Sequence, residues 1–162
     1  MYLNRFSVRV VGGAEDGGYV GLCEGPYALV LRNGRDTRCD AAVEIDGQPA
    51  GTWRILAGKS IKVDHPKDDD AAFMFRKPGP RDTSPNYGLV KVTFSPEKAG
   101  VEADEGYTTS VAPGGAQNQF STKTGGLDVD AGRVTVIHLR LVERGICKLP
   151  AVAFSTPVPP RV

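Results

Sequence analysis

The chain has 162 residues, the length of one domain, and its 20 Lys and Arg nearly balance its 19 Asp and Glu for a net charge of +1. Twenty glycines and 12 prolines make up about a fifth of it, against about 12% in average proteins, which excludes long helical bundles and coiled coils. The 40% of hydrophobic residues can build a core without metal or disulfide, and the even charge balance points away from nucleic acid as a partner.

Period-two alternation, the signature of half-buried strands, starts at once. Phe6, Val8 and Val10 alternate with Arg5, Ser7 and Arg9, and the stretch Met1 to Val8 has no apolar region of the secretory kind. A glycine-rich turn at Gly12–Gly18 leads into a short strand, Tyr19 to Leu22. Tyr27, Leu29 and Leu31 form one face of the next strand, which ends at Asn33-Gly34, a turn signal because both residues tolerate positive φ. Ala41, Val43 and Ile45 alternate with Asp40, Ala42 and Glu44 up to a hairpin turn at Asp46-Gly47-Gln48-Pro49. The return strand, Gly51 to Leu56, carries Trp53 and Ile55 on one face, which predicts a buried Trp53. Ala57-Gly58-Lys59 turns the chain into Ile61 and Val63. Phe73 and Phe75 mark another strand, Leu89 to Phe94 the next, and Val134 to Val142 the last. About nine short strands at spacings near 8–12 residues predict an all-β chain, a β-sandwich of antiparallel strands with a jelly roll among the connections open to it.

Three stretches break this rhythm. Lys77 to Tyr87, with Pro78, Pro80 and Pro85, reads as a stiff surface connection. Glu97 to Asp130 is a 34-residue span with little alternation. Connections of that length inside a compact domain are uncommon and tend to carry function. Leu149 to Val162 holds four prolines and predicts an extended arm. The domain therefore spans residues 1–148 and the arm 149–162.

Nothing in the residues themselves singles out a reaction. Gly58-Lys59-Ser60 resembles the end of a phosphate-binding loop, but Trp53 stands where the motif needs glycine and no helix follows. His65, near Asp64 and the run Asp68-Asp69-Asp70, reads as a solvated acidic turn and not as a metal site, and His138 reads as a surface or interface residue. No Gly-x-Ser-x-Gly is present for a nucleophile elbow. With aromatics at 7%, a stacking platform for bases or sugars is poorly supplied. Cys23, Cys39 and Cys147 are odd in number and scattered, which fits reduced thiols. No apolar run approaches the ~20 residues that span a bilayer. No cofactor, metal, membrane or nucleic acid is expected.

The most distinctive stretch is Leu31-Arg32-Asn33, then Arg38-Cys39-Asp40-Ala41-Ala42-Val43-Glu44-Ile45-Asp46-Gly47, then Gly51-Thr52-Trp53-Arg54-Ile55. Arg38, Asp40, Glu44 and Arg54 lie in the polar phase of these two strands, where they can pair as exposed ions. The pattern resembles a group of small β-rich proteins encoded by tailed phages, large DNA viruses and some bacterial genomes. There the motif is followed by a strand, a Pro- and Asp-rich turn and an aromatic strand, as His65-Pro66 through Phe73-Met74-Phe75 follow here. The resemblance extends over Gly88 to Phe94, Gln119-Phe120 and Ile137 to Val142, roughly residues 1–142. It implies a non-enzymatic virion structural protein made in a host cytoplasm: a capsid decoration or cement protein, or the base of a head spike or fibre. Its expected partners are capsid proteins or further copies of itself in a homo-oligomer. Gln117, Asn118, Gln119 and Phe120 in the long connection, and Phe154, Val158, Pro159, Pro160 and Arg161 in the arm, are the residues expected to touch them. The rival reading is a bacterial β-sandwich adhesion or carbohydrate-binding module, against which the lack of a signal sequence and the scarcity of exposed aromatics count; the alternative location is the bacterial cytoplasm.

Overall fold

A computed structural model describes residues 1–99 and 126–144, with the backbone alone of 116–117. The middle of the long connection, Cys147 and the arm lie outside the described residues. The described chain is all-β, with two facing sheets and a small third one. The first sheet has five strands in the order β1 (Tyr2–Leu3), β2 (Phe6–Val10), β6 (Leu29–Asn33), β9 (Ser60–Val63) and β12 (Ala116–Gln117). The second has six, in the order β3 (Ala14–Asp16), β4 (Tyr19–Leu22), β13 (Thr135–Glu143), β11 (Leu89–Pro96), β7 (Cys39–Ile45) and β8 (Gln48–Ile55). A two-stranded ribbon pairs β10 (Met74–Phe75) with β5 (Gly25–Pro26).

Alternation places the core. Phe6, Val8, Leu29, Leu31 and Val63 of the first sheet are fully buried, and so are Cys39, Ala41, Ile55, Val90, Val92 and Phe94 of the second. The two sheets meet through the stacked rings of Phe6 and Phe94, whose centroids are 4.6 Å apart. That contact makes the molecule a sandwich. One end is closed by Tyr27 stacked on Phe73 at 5.6 Å, where the Tyr27 N–H donates to the Phe73 carbonyl. Tyr27 therefore packs just before β6 and not within it, and the expected strand at Phe73–Phe75 shrinks to the ribbon.

Strand direction departs from the expectation. Most pairs are antiparallel, but β13 runs parallel to β4 and β12 parallel to β9. A half-buried strand shows the same period-two pattern in either direction, so the sequence carries no signal for this. Two parallel pairs set the order apart from an all-antiparallel jelly roll, and two facing sheets is the description it supports.

Turn chemistry departs at two places. Asp46 (φ 55°) and Gly47 (φ 79°) take the left-handed conformation expected of a two-residue hairpin loop. The β1–β2 hairpin uses the same conformation without glycine, at Asn4 (φ 52°) and Arg5 (φ 71°). Asn33-Gly34 does not use it. Instead, Asn33 is fully buried and its amide nitrogen donates to the carbonyls of Thr37 (2.7 Å), Ile55 (3.2 Å) and Leu56 (3.3 Å). Its Oδ1 accepts from the Arg35 N–H at 3.0 Å. Gly34 is needed for close approach: a Cβ there would stand 2.5 Å from the Arg5 carbonyl oxygen.

The polar phase of the motif also pairs differently. Asp40 and Arg54 are direct cross-strand partners and form a two-pronged ion pair at 2.9 and 3.2 Å. Arg38 instead pairs with Glu97 at 2.6 and 2.9 Å, and Glu44 with Lys91 at 3.3 Å. The Arg38–Glu97 pair is not the exposed pair expected, since its side chains are only 11% and 5% accessible.

The core sets an alkaline limit on stability. Burial, and then the Asp40 carboxylate, push the Cys39 thiol well above its ordinary value near 9. Burial, and then Asp46, do the same to the Tyr27 phenol, ordinarily near 10. Above about pH 9 the unfolded chain releases protons that the folded chain keeps, so stability falls as pH rises. Urea-unfolding midpoints are expected to decline from pH 9 to 11, and Cys39→Val should remove the earliest part of that decline. A midpoint that stays constant to pH 11 would contradict the burial of both groups.

Candidate binding surfaces

Of the contact residues expected from the sequence, only the backbone of Gln117 is described. It lies opposite Ile61 on the edge of the first sheet. Asn118, Gln119, Phe120, Phe154, Val158, Pro159, Pro160 and Arg161 lie outside the described residues. What is described is the root of the long connection. The Lys98 N–H donates to the Asp128 carbonyl and the Asp130 N–H to the Pro96 carbonyl, each at 2.8 Å, and Glu97 bridges Val129. The Glu97 N–H also donates to the Arg38 carbonyl at 2.8 Å, while its carboxylate holds the Arg38 guanidinium. Lys98 and Asp128 form an ion pair at 3.5 Å. The Asp130 side chain accepts from the Gly132 N–H and caps the 3₁₀ turn Ala131–Arg133. The connection thus leaves β11 and returns to β13 through a closed, ion-paired stem, and on the way lays β12 beside β9 of the opposite sheet.

The outer faces of the two sheets differ in charge. On the six-stranded sheet the cations are largely engaged by the protein itself. Arg54 pairs with Asp40 and Lys91 with Glu44. Arg140 donates to the carbonyls of Tyr87 and Pro85 at 2.8 Å, which pins the end of the proline-rich connection onto this face. On the five-stranded sheet Arg9, Arg32 and Lys62 project outward and are exposed. Register brings them together. Arg9, Val30 and Lys62 form one cross-strand row, and Ser7, Arg32 and Ser60 form the next. None of the three cations has an ion pair with a described residue. This face carries a depression that Met1 and Tyr2, at the edge strand β1, help to line. The depression holds about 370 Å³, with Ser7, Arg9, Val30, Arg32 and Ser60 among its lining residues. Glu15 also lines it, in an ion pair with the Met1 ammonium at 2.6 Å.

Sequence reasoning missed this cluster. Its members come from strands whose adjacency alternation does not reveal, and a net charge of +1 conceals an uneven distribution. His65 shares a hydrogen of its Nδ1 with Asp64 at 2.6 Å, and Asp69 accepts from the Ala71 N–H in an exposed turn. His138 is exposed on the outer face of β13. Among the described residues no three His, Cys, Asp or Glu side chains are grouped to hold a metal ion, and no helix is long and apolar enough to cross a membrane.

The chain matches no protein-family model, no curated protein and no solved structure.

Proposed function

We propose that this chain is a virion structural protein that acts by binding, as a capsid decoration or cement protein or as the base of a head spike or fibre. The observation that carries the reading is the stem at Glu97 and Asp128–Asp130. The sandwich holds the two ends of a long polar connection at a fixed root, and loops held by a rigid scaffold are where binding residues concentrate. The motif from Leu31 to Ile55, resembling that of phage and viral proteins, supplies the virion context. On a symmetric shell, repeated placement lets individually weak contacts of such a connection act together. Gln117, Asn118, Gln119 and Phe120, and Phe154, Val158, Pro159, Pro160 and Arg161 in the arm, remain the residues proposed to meet capsid proteins or neighbouring copies.

The test uses purified particles of the source virus and the full chain. The chain is expected to sediment with the particles at a fixed copy number. A variant in which residues 101–125 are replaced by a short Gly-Ser connection loses only the two-residue edge strand β12 from the sheets and should keep its melting temperature within about 3 °C, because the stem and core persist, yet fail to sediment. Absence of the chain from particles overturns the virion reading, and undiminished sedimentation of the variant overturns the role of the connection. Glycan binding by a chain absent from particles would favour the adhesion or carbohydrate-binding reading.

A further inference from the structure

We propose that the depression on the outer face of the five-stranded sheet is a binding site for a tetrahedral oxyanion, phosphate or sulfate, held by Arg9 and Arg32 with the hydroxyls of Ser7 and Ser60. This site borders the long connection only where β12 pairs with β9 at Ser60, and it does not rest on the virion reading. Three observations meet here. First, Arg32 lies in register between two serines, with Ser7 opposite it on β2 and Ser60 opposite it on β9. Second, Arg9 is the diagonal neighbour of Arg32 across the β2–β6 pair. Diagonal positions lie about 7–8 Å apart, so two long side chains can converge on one ion. Lys62, in the same row as Arg9, adds a third positive charge beside them. Third, Glu15, the one carboxylate that lines the depression among the described residues, is already engaged by the Met1 ammonium, so it does not cancel the arginines.

The donor set selects the ligand. Each guanidinium presents a fork of N–H groups and each serine one O–H. These donors approach from both sides of a shallow concavity, which is more than two carboxylate oxygens in one plane can accept. A tetrahedral dianion offers three or four oxygens in different directions and twice the charge. The main cations are exposed, so each contact is weak and screened by salt. A single free ion should bind with a dissociation constant on the order of 1–10 mM at low ionic strength.

The test is an amide NMR titration of the full chain with sodium phosphate and with sodium sulfate, each at an ionic strength matched by sodium chloride and by sodium acetate. Saturable shifts centred on Ser7, Arg9, Arg32 and Ser60 in phosphate or sulfate are expected, and which of the two ions binds more tightly names the source. Arg32→Gln should raise the dissociation constant about fivefold or more. It should leave the fold intact because the side chain is exposed. Lys91→Gln on the other sheet should change nothing. Shifts that follow ionic strength alone, acetate binding as tight as phosphate and sulfate, or an Arg9→Gln/Arg32→Gln double variant that binds as well as the parent would each overturn the proposal.

Discussion

Replacing Trp53 by alanine is expected to lower the unfolding free energy by about 3–5 kcal/mol, the range for emptying a large aromatic site in a core. Trp53 is 2% exposed, on the edge strand β8 directly opposite Ala41 of β7, where a small partner leaves room for the indole. Its ring also lies under Gly51. There φ is 145° and an added Cβ would stand 3.0 Å from the indole and 2.7 Å from the Lys67 side chain. The register shift between Val43 and Glu44 sits at the same point, so the strand bends where the ring needs cover. The indole N–H is buried and has no hydrogen-bond partner among the described residues. The contribution of Trp53 is therefore apolar area, and Trp53→Phe should cost much less than Trp53→Ala. Urea unfolding of the three proteins checks this. A near-native Trp53→Ala would refute the β7–β8 register.

Asn33→Leu is expected to cost about 2–4 kcal/mol although it adds apolar surface to a buried site. The asparagine amide is the donor for three carbonyls at the junction of β6 with the turns after it and after β8, and its oxygen accepts from the Arg35 N–H. Leucine supplies no donor or acceptor, and buried polar groups left without partners cost about 1–3 kcal/mol each. Some of those groups lie only partly buried and can reach water, which keeps the sum below the full count. The measurement is again the urea midpoint, with an unchanged slope showing that the denatured state is not altered. A midpoint shift equivalent to less than about 1 kcal/mol would reduce Asn33 to an ordinary strand-end residue.

The strands themselves were legible because their cause is local. Alternation at Phe6–Val10, Cys39–Ile45, Leu89–Phe94 and Thr135–Val142 states which side chains go inside, and burial follows it residue by residue. Asp46-Gly47 is legible for the same reason, since a two-residue turn depends on the φ preferences of its own residues. Asn4-Arg5 forms a turn of that kind without the usual glycine, so it passes unnoticed, while Asn33-Gly34 has the usual residues and does another task. In both cases the deciding contacts are distant. Asn4 donates to Thr135, and Asn33 reaches Ile55 and Leu56.

What the sequence determined by itself is therefore the all-β class, the inward set of side chains and the burial of Trp53. Each follows from a period of two and from turn residues within a few positions of one another. Only the tertiary structure decided which strands are neighbours, that β13 and β4 run parallel, that Arg38 meets Glu97 and Lys91 meets Glu44, and that Arg9, Arg32 and Lys62 share one face with no ion pair to a described residue. Those facts depend on pairing between segments tens of residues apart. Alternation reads the same whichever strand lies alongside and whichever way it runs, so the partner is chosen by the fit of the whole core and not by any local pattern.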